Sequence, residues 1–317
     1  MRLLLTGASG FFGRNLQDRI RRDRDGGQPN DGTDGAIEVH TTTRKPGDAS
    51  REGHVHHLDL MDHHSIGTLI ESVGPTHLCH LAWLGPEHRD RYRSPDNHRW
   101  ADASRVLFEA FRDGGGERLV HLGSCIEYGN RAPGVRVETQ PLDPDTAYGE
   151  AKAALAETVT DLVGDGLSAA VARPFFCYGP HEQEERLVPS LILALADGRT
   201  IDLTEGRQVR DFLDVRDIVA ALLTLLRTPA ATGAFNIGAG TGVTVRSIAE
   251  HLGSIAGRPE LLNFGGRPEG ADSAPEIVAD IGRITAFTDW EPSITLEQGL
   301  EHATGWWLTS RGGAPLS

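Results

Sequence analysis

Short apolar runs of strand length alternate along this chain with longer stretches in which apolar residues recur every three to four positions. Leu3, Leu4 and Leu5 suit a fully buried strand, and a helix follows from near Gly10 to about Arg24. Residues 26–35, rich in Gly, Asn, Asp and Pro, predict an exposed loop. Further strands are predicted at residues 37–43, 54–58, 77–82 and 119–122. Between the last two lies a helix over residues 95–112, with Trp100, Ala103, Val106, Leu107, Ala110 and Phe111 at helical spacing and a glycine run after it. A second long helix, capped by Asp145, carries Tyr148, Lys152, Leu155, Val159 and Leu162. This alternation predicts an α/β fold, a doubly wound parallel sheet covered on both faces, with ligands at the carboxyl ends of its strands.

Composition narrows the picture. The 317 residues are 38% hydrophobic, enough for one large domain or two modest ones. A net charge of −14 and a pI near 5.4 give no basic field, which argues against nucleic acid and an acidic membrane as partners. The chain enters its first strand without a charged and apolar leader, so a cytoplasmic location is expected. The three cysteines, Cys79, Cys125 and Cys177, lack zinc-like spacing and fit buried thiols in a reducing compartment.

Candidate chemistry starts at the first turn. Gly7, Gly10 and Gly13 are placed for a sharp bend, close approach of a ligand, and tight packing of helix on strand, with helix amides left to attract an anion. The same glycines also suit packing with no ligand. At the end of the second strand, where an acidic residue would accept an NAD ribose hydroxyl, stand Thr43, Arg44 and Lys45, which suit the 2'-phosphate of NADP or make a solvated basic turn. Asp59 follows the third strand, where an adenine amine could donate to it. His54, His56, His57, His63 and His64 invite a metal, but carboxylates and histidines at a fixed helical or hairpin spacing are missing, and no metal is expected. Tyr148 and Lys152, four apart, share a helix face. A neighbouring ammonium would lower the tyrosine's affinity for its proton, and Ser124, just past the fifth strand, could hold a carbonyl oxygen being protonated.

With Thr6-Gly-Ala-Ser-Gly-Phe-Phe-Gly13, Ser124 and Tyr148-Gly-Glu-Ala-Lys152 in this order, the chain resembles the extended short-chain dehydrogenases/reductases, in the nucleotide-sugar epimerase/dehydratase group. Arg173-Pro-Phe-Phe-Cys-Tyr-Gly-Pro180 is similar to the family's segment leading from sheet to substrate, with Phe176 in place of the usual Asn. Arg210 and Arg267 match the pair that grips a nucleotide diphosphate. The resemblance implies a Rossmann-type domain (residues 1–173 and about 208–238) and a smaller C-terminal α/β nucleotide-sugar domain (174–207 and about 239–317). It also implies a homodimer built on the helices near 95–112 and 146–163, whose apolar faces are equally explained by core burial. The cofactor would meet Gly7, Ser9, Gly10, Phe11, Phe12 and Gly13, then Thr43, Arg44, Lys45, Asp59 and Leu60. Leu81, Ala82, Trp83, Asn97, Tyr148, Lys152 and Arg173 would complete its site. Trp83, Ser124, Cys125, Ile126, Phe176, Val188, Arg210 and Arg267 would face the sugar nucleotide, although Trp83 also suits ordinary core.

The resemblance further implies a reaction. Sugar 4,6-dehydratases place acid residues soon after the catalytic Ser or Thr, whereas Cys125 and Ile126 stand here, with Glu127 one place beyond and expected to face away. That leaves 4-ketoreductases and 4-epimerases. The basic second-strand end and the segments 80–83, 94–100 and 123–128 resemble bacterial 4-ketoreductases of deoxysugar pathways. The expectation is NADPH-dependent reduction, NADH being less suited, of an NDP-4-keto-6-deoxyhexose, dTDP-linked, with Ser124, Tyr148 and Lys152 as catalytic residues. An NAD-dependent 4-epimerase is the alternative, and a non-catalytic NADP sensor the rival from another class.

Overall fold

Leu3, Leu4 and Leu5 are completely buried, and the chain is wound around them. The computed structural model describes residues 1–26, 37–44, 54–85, 90–268 and 274–312, so Lys45 and nearly all of the 26–35 loop lie outside the described residues. The chain begins with β1 (Arg2–Thr6), α1 (Phe11–Asp25), β2 (Glu38–Thr43), β3 (His54–His57), α2 (His63–Val73), β4 (His77–His80), α3 (Asp96–Asp113) and β5 (Arg118–Leu122). After a 3₁₀ turn (Cys125–Tyr128) come β6 (Gly134–Arg136), α4 (Ala147–Gly164), β7 (Ser168–Pro174), β8 (Phe176–Tyr178), α5 (Leu187–Ala196) and β9 (Ile201–Leu203). Next are β10 (Val209–Arg210), β11 (Phe212–Asp214), α6 (Val215–Arg227), β12 (Gly233–Ile237), β13 (Val243–Thr244) and α7 (Val245–Ile255). The described chain ends with β14 (Leu262–Phe264), β15 (Glu276–Ala279), α8 (Gly282–Phe287) and α9 (Leu296–Ser310).

Seven strands form one parallel sheet in the order β12-β7-β5-β4-β1-β2-β3. The order reverses between β1 and β4, which opens a crevice beyond their carboxyl ends. Side chains of β1 alternate across the sheet. Leu3 and Leu5 join α1 and α6 in one apolar cluster, while Leu4 joins α2, α3 and α4 in another. Burial on both faces explains the unbroken apolar run, each leucine contributing about 1.5–3 kcal/mol. This is the doubly wound Rossmann-type arrangement that the alternation predicts.

Local signals set most helix ends. Asp62 accepts from the His64 amide to start α2, and Gly74, at φ 55°, ends it in the left-handed region. The cap of α4 is Thr146, whose hydroxyl accepts from the Gly149 amide, and not Asp145. The Asp145 carboxylate is turned to Asn130, accepting from its backbone and side-chain amides. Trp100, Ala103, Leu107 and Phe111 of α3 are buried within the chain, while His98, Arg99, Asp102 and Arg105 face out. Val106 and Ala110 of the same stripe are half-buried.

A third apolar cluster joins α5, α7 and α9 around Val188, Leu191, Ile248 and Trp307. Beside it lie a four-stranded sheet, β13-β10-β15-β6, and two parallel strand pairs, β11-β8 and β14-β9. Among the described residues no helix is long and apolar enough to cross a membrane.

Candidate active site

The turn after β1 is shaped by close packing. Gly7 sits at φ 71°, and a Cβ there would lie 2.6 Å from the Ala82 nitrogen at the end of β4. A Cβ on Gly13 would lie 2.3 Å from the Gly7 carbonyl oxygen, so helix and turn can touch only without one. Gly10 begins α1 with no side-chain cap and no acidic residue in the first turn, which leaves amides and the positive helix end open to an anion. Ser9 and Gly10 are exposed, and Phe11 and Phe12 are half-buried against the core. These features fit the diphosphate of a dinucleotide.

A buried polar chain ties this turn to the neighbouring elements. Ser104 Oγ donates to the Trp100 carbonyl at 2.7 Å and lies 3.0 Å from His80 Nε2, so Nε2 carries the ring proton and Nδ1 accepts from Thr6 Oγ1 at 2.8 Å. Thr6 Oγ1 in turn accepts from the Ala82 amide. Burial, and secondarily the Lys152 charge, lowers the His80 pKa to about 3, consistent with a neutral ring.

At the end of β2, Thr43 is half-buried and the exposed Arg44 holds its guanidinium 5.8 Å from the Trp100 ring centroid. Lys45 lies outside the described residues. Asp59 is exposed, with its carboxylate accepting from the Met61 amide, and Leu60 is buried in the core. Asn97, expected at the cofactor, is fully buried and otherwise occupied. It donates to the carbonyls of Arg91 and Ser94 and accepts from Trp83 Nε1 at 2.8 Å. It fixes Trp83 rather than presenting its amide to a ligand.

Trp83 packs against both Lys152 and Tyr148. Lys152 Nζ lies 3.9 Å from one of its ring centroids and donates to the Leu122 carbonyl at 2.7 Å. The Tyr148 ring meets Trp83 edge-on at 6.1 Å and Tyr92 at 5.4 Å. Ser124 stands close enough to Tyr148 to favour its ionised form. The structure reverses one electrostatic expectation: burial pushes the Tyr148 phenol above its ordinary value, reinforced by Tyr92, while Ser124 pulls the other way. Burial also lowers Lys152 to about 7, because its ammonium has little water around it. The Lys152 ammonium is not among the groups that shift the phenol.

Ser124 caps the 3₁₀ turn, with its Oγ accepting from the Ile126 amide and its own amide donating to Glu127 Oε1 at 2.7 Å. Glu127 Oε2 pairs with Arg173 Nε at 2.7 Å, and Arg173 also donates to the Tyr128 hydroxyl. The hydroxyl donates onward to Asn236. Glu127 thus faces away from the crevice as expected. Arg173, expected at the cofactor, is consumed by this buried ion pair. Cys125 is buried, with its thiol pushed up to about 12, and Ile126 is half-buried beside it.

Phe176, Val188 and Arg210 line one cavity of about 370 Å³, together with Glu182, Arg186 and Gln208. The Arg210 guanidinium lies 5.5 Å from the Phe176 ring centroid. Arg267 is not among the lining residues. It is exposed, and its amide is held by the Leu203 carbonyl at the end of the β9-β14 ribbon, so the structure does not close the expected arginine pair. Glu182 was not anticipated. Its side chain is only 7% exposed, Oε2 is buried without a partner among the described residues, and burial raises its carboxyl to about 8. In sequence it is one of a charged run with Glu184, Glu185 and Arg186 that looks like a solvated loop. Tyr92 was equally illegible, lying between elements with no periodic pattern.

Comparison with known proteins agrees with this geometry. The model of the NAD-dependent epimerase/dehydratase family matches residues 3–238. The chain is 25% identical to UDP-glucuronate 4-epimerase of Thermodesulfobacterium geofontis, covering 96% of this chain and 95% of that protein. It is 27% identical to dTDP-glucose 4,6-dehydratase of Streptomyces griseus, covering 98% and 94%. Its fold is similar to that of dTDP-glucose 4,6-dehydratase from Streptomyces venezuelae, solved with NAD bound, at a TM-score of 0.81, 24% identity and full coverage of both chains. With a glycine turn at the β1/β4 crevice, a Ser-Tyr-Lys set beside it and a family match over most of its length, the chain belongs to the NAD-dependent epimerase/dehydratase family.

Proposed function

We propose that this protein reduces the C4 ketone of an NDP-4-keto-6-deoxyhexose, dTDP-linked, with NADPH. One observation carries the choice among the family's reactions. Ser124 is followed by Cys125 and Ile126, while both oxygens of Glu127 are taken by the Ser124 amide and Arg173. Dehydration needs further acid and base groups at this point, and a thiol near 12, an isoleucine and a tied carboxylate are poorly suited to it. Reduction needs one proton donor. Tyr148, held above its ordinary value, stays protonated at neutral pH and donates to the forming C4 alkoxide, with Ser124 hydrogen-bonded to the same oxygen. A bound NADPH supplies the hydride. Arg44 takes its 2'-phosphate, the open amides of α1 its diphosphate, and Lys152 its nicotinamide ribose. Phe176, Val188 and Arg210 receive the sugar nucleotide in their shared cavity.

A second reading, NAD-dependent 4-epimerisation, uses the same Ser124 and Tyr148 and is favoured by the likeness to UDP-glucuronate 4-epimerase. The decay of NADPH absorbance with a panel of 4-keto sugar nucleotides separates the two. The proposed reductase consumes NADPH stoichiometrically with a 4-keto-6-deoxy sugar, and Tyr148→Phe slows that rate ~10²-fold or more. Interconversion of UDP sugars without added reductant would favour the epimerase, and near-wild-type reduction by Tyr148→Phe would remove the tyrosine from the mechanism.

A further inference from the structure

At the opposite end of β2 from Arg44, the parallel register sets His40 beside His54 and Thr42 beside His56. Glu38 stands two positions before His40, so Glu38, His40, His54 and His56 share one face at the sheet edge. From these contacts the geometry points to a zinc site formed by Glu38 Oε1, His40 Nε2 and His54 Nε2, separate from the catalytic crevice. The three atoms lie within 4.8 Å of one another, with Glu38 Oε1 3.1 Å from His40 Nε2 and 3.7 Å from His54 Nε2. In a tetrahedral site with bonds of about 2.0–2.1 Å, ligand atoms stand about 3.4 Å apart, between those two distances. The His40 and His54 rings are stacked at 4.5 Å with planes 13° apart, so binding requires the exposed His54 ring to rotate out of the stack and bring its in-plane lone pair to the ion.

The ligands also have supports. His56 Nε2 lies 2.9 Å from His40 Nδ1, where donation by His40 leaves its Nε2 lone pair for the metal. Arg2 Nε binds Glu38 Oε2 at 3.3 Å, leaving Oε1 turned to the histidines. Two imidazoles and one carboxylate suit zinc and leave its fourth position to water, His54 being largely exposed. The ion would pin edge strand β3 to β2.

The test uses the full chain. Zinc is titrated against a chromophoric chelator, and cobalt(II) is added separately to read coordination from its visible absorption. One tightly bound zinc per chain and strong cobalt bands of tetrahedral type are expected. His54→Ala and Glu38→Gln, both at accessible side chains, should each weaken zinc binding by more than the ~10–100-fold typical of losing an outer-shell partner. His56→Ala, which removes a positioning residue, should cost about tenfold. The double variant His63→Ala/His64→Ala, at exposed residues of α2, should bind as the wild type does. Wild-type binding no tighter than that of His54→Ala, weak cobalt bands of octahedral type, or loss of binding in the α2 variant alone would overturn the site.

Discussion

Arg44 shows how much a single side chain can be asked to decide. The glycine turn serves any dinucleotide, whereas under the proposed function the guanidinium at the end of β2, 5.8 Å from the Trp100 ring centroid, takes the phosphate on the adenosine ribose of NADPH. Losing a charge-assisted hydrogen bond costs about 1.5–3 kcal/mol. Arg44→Ala should therefore raise KM for NADPH about tenfold or more and leave KM for NADH nearly unchanged in steady-state assays. Equal changes would undo the NADPH assignment. Asn97, Arg173 and Glu127 make the converse point. Each is a polar residue of the kind that binds ligands, yet each is spent on an internal bond, and no spacing rule distinguishes that use from the other.

Among elements, the β1-turn-α1 unit depends most closely on its sequence. Its strand, turn and helix were all legible, because the apolar run, the glycines and the helical period are local signals. Its tightest contact is at Gly13, where an added Cβ would lie 2.3 Å from the Gly7 carbonyl oxygen and 2.6 Å from the Ala8 Cα, both backbone atoms. Gly13→Ala should destabilise the fold by ~1–3 kcal/mol, as overpacking does, and weaken cofactor binding by displacing the turn. Urea unfolding checks the first and fluorescence titration with NADPH the second; a stability change below about 0.5 kcal/mol would show that the contact relaxes freely. The cap of α4 marks the resolution of such local reading. Asp145 and Thr146 are adjacent and both suited to capping, and the choice of Thr146 leaves Asp145 free to hold Asn130.

The assembled molecule creates charges that its parts would not show. Glu182 has its carboxyl raised from 4.5 to about 8, so the folded chain binds that proton more tightly than the unfolded one. Its contribution is complete below pH 4.5 and is lost as pH rises to 8. Lys152 runs the other way: lowered from 10.5 to about 7, it contributes fully above pH 10.5 and loses that contribution as pH falls toward 7. Glu182→Gln should therefore gain stability relative to the wild type as pH rises from 4.5 to 8, measured by denaturant unfolding across that window. Parallel profiles would show that Glu182 does not titrate as its burial requires. Periodicity and turn chemistry were enough to reveal the α/β order and the glycine turn, and the family pattern to single out Ser124, Tyr148 and Lys152 as the proposed catalytic set, because all depend on contacts within a few residues or on a family pattern. The Glu127-Arg173 pair, the buried Glu182, the raised Tyr148 and the Glu38-His40-His54 cluster emerged only with the fold. They are made by strand pairing and desolvation, which join residues far apart in the chain.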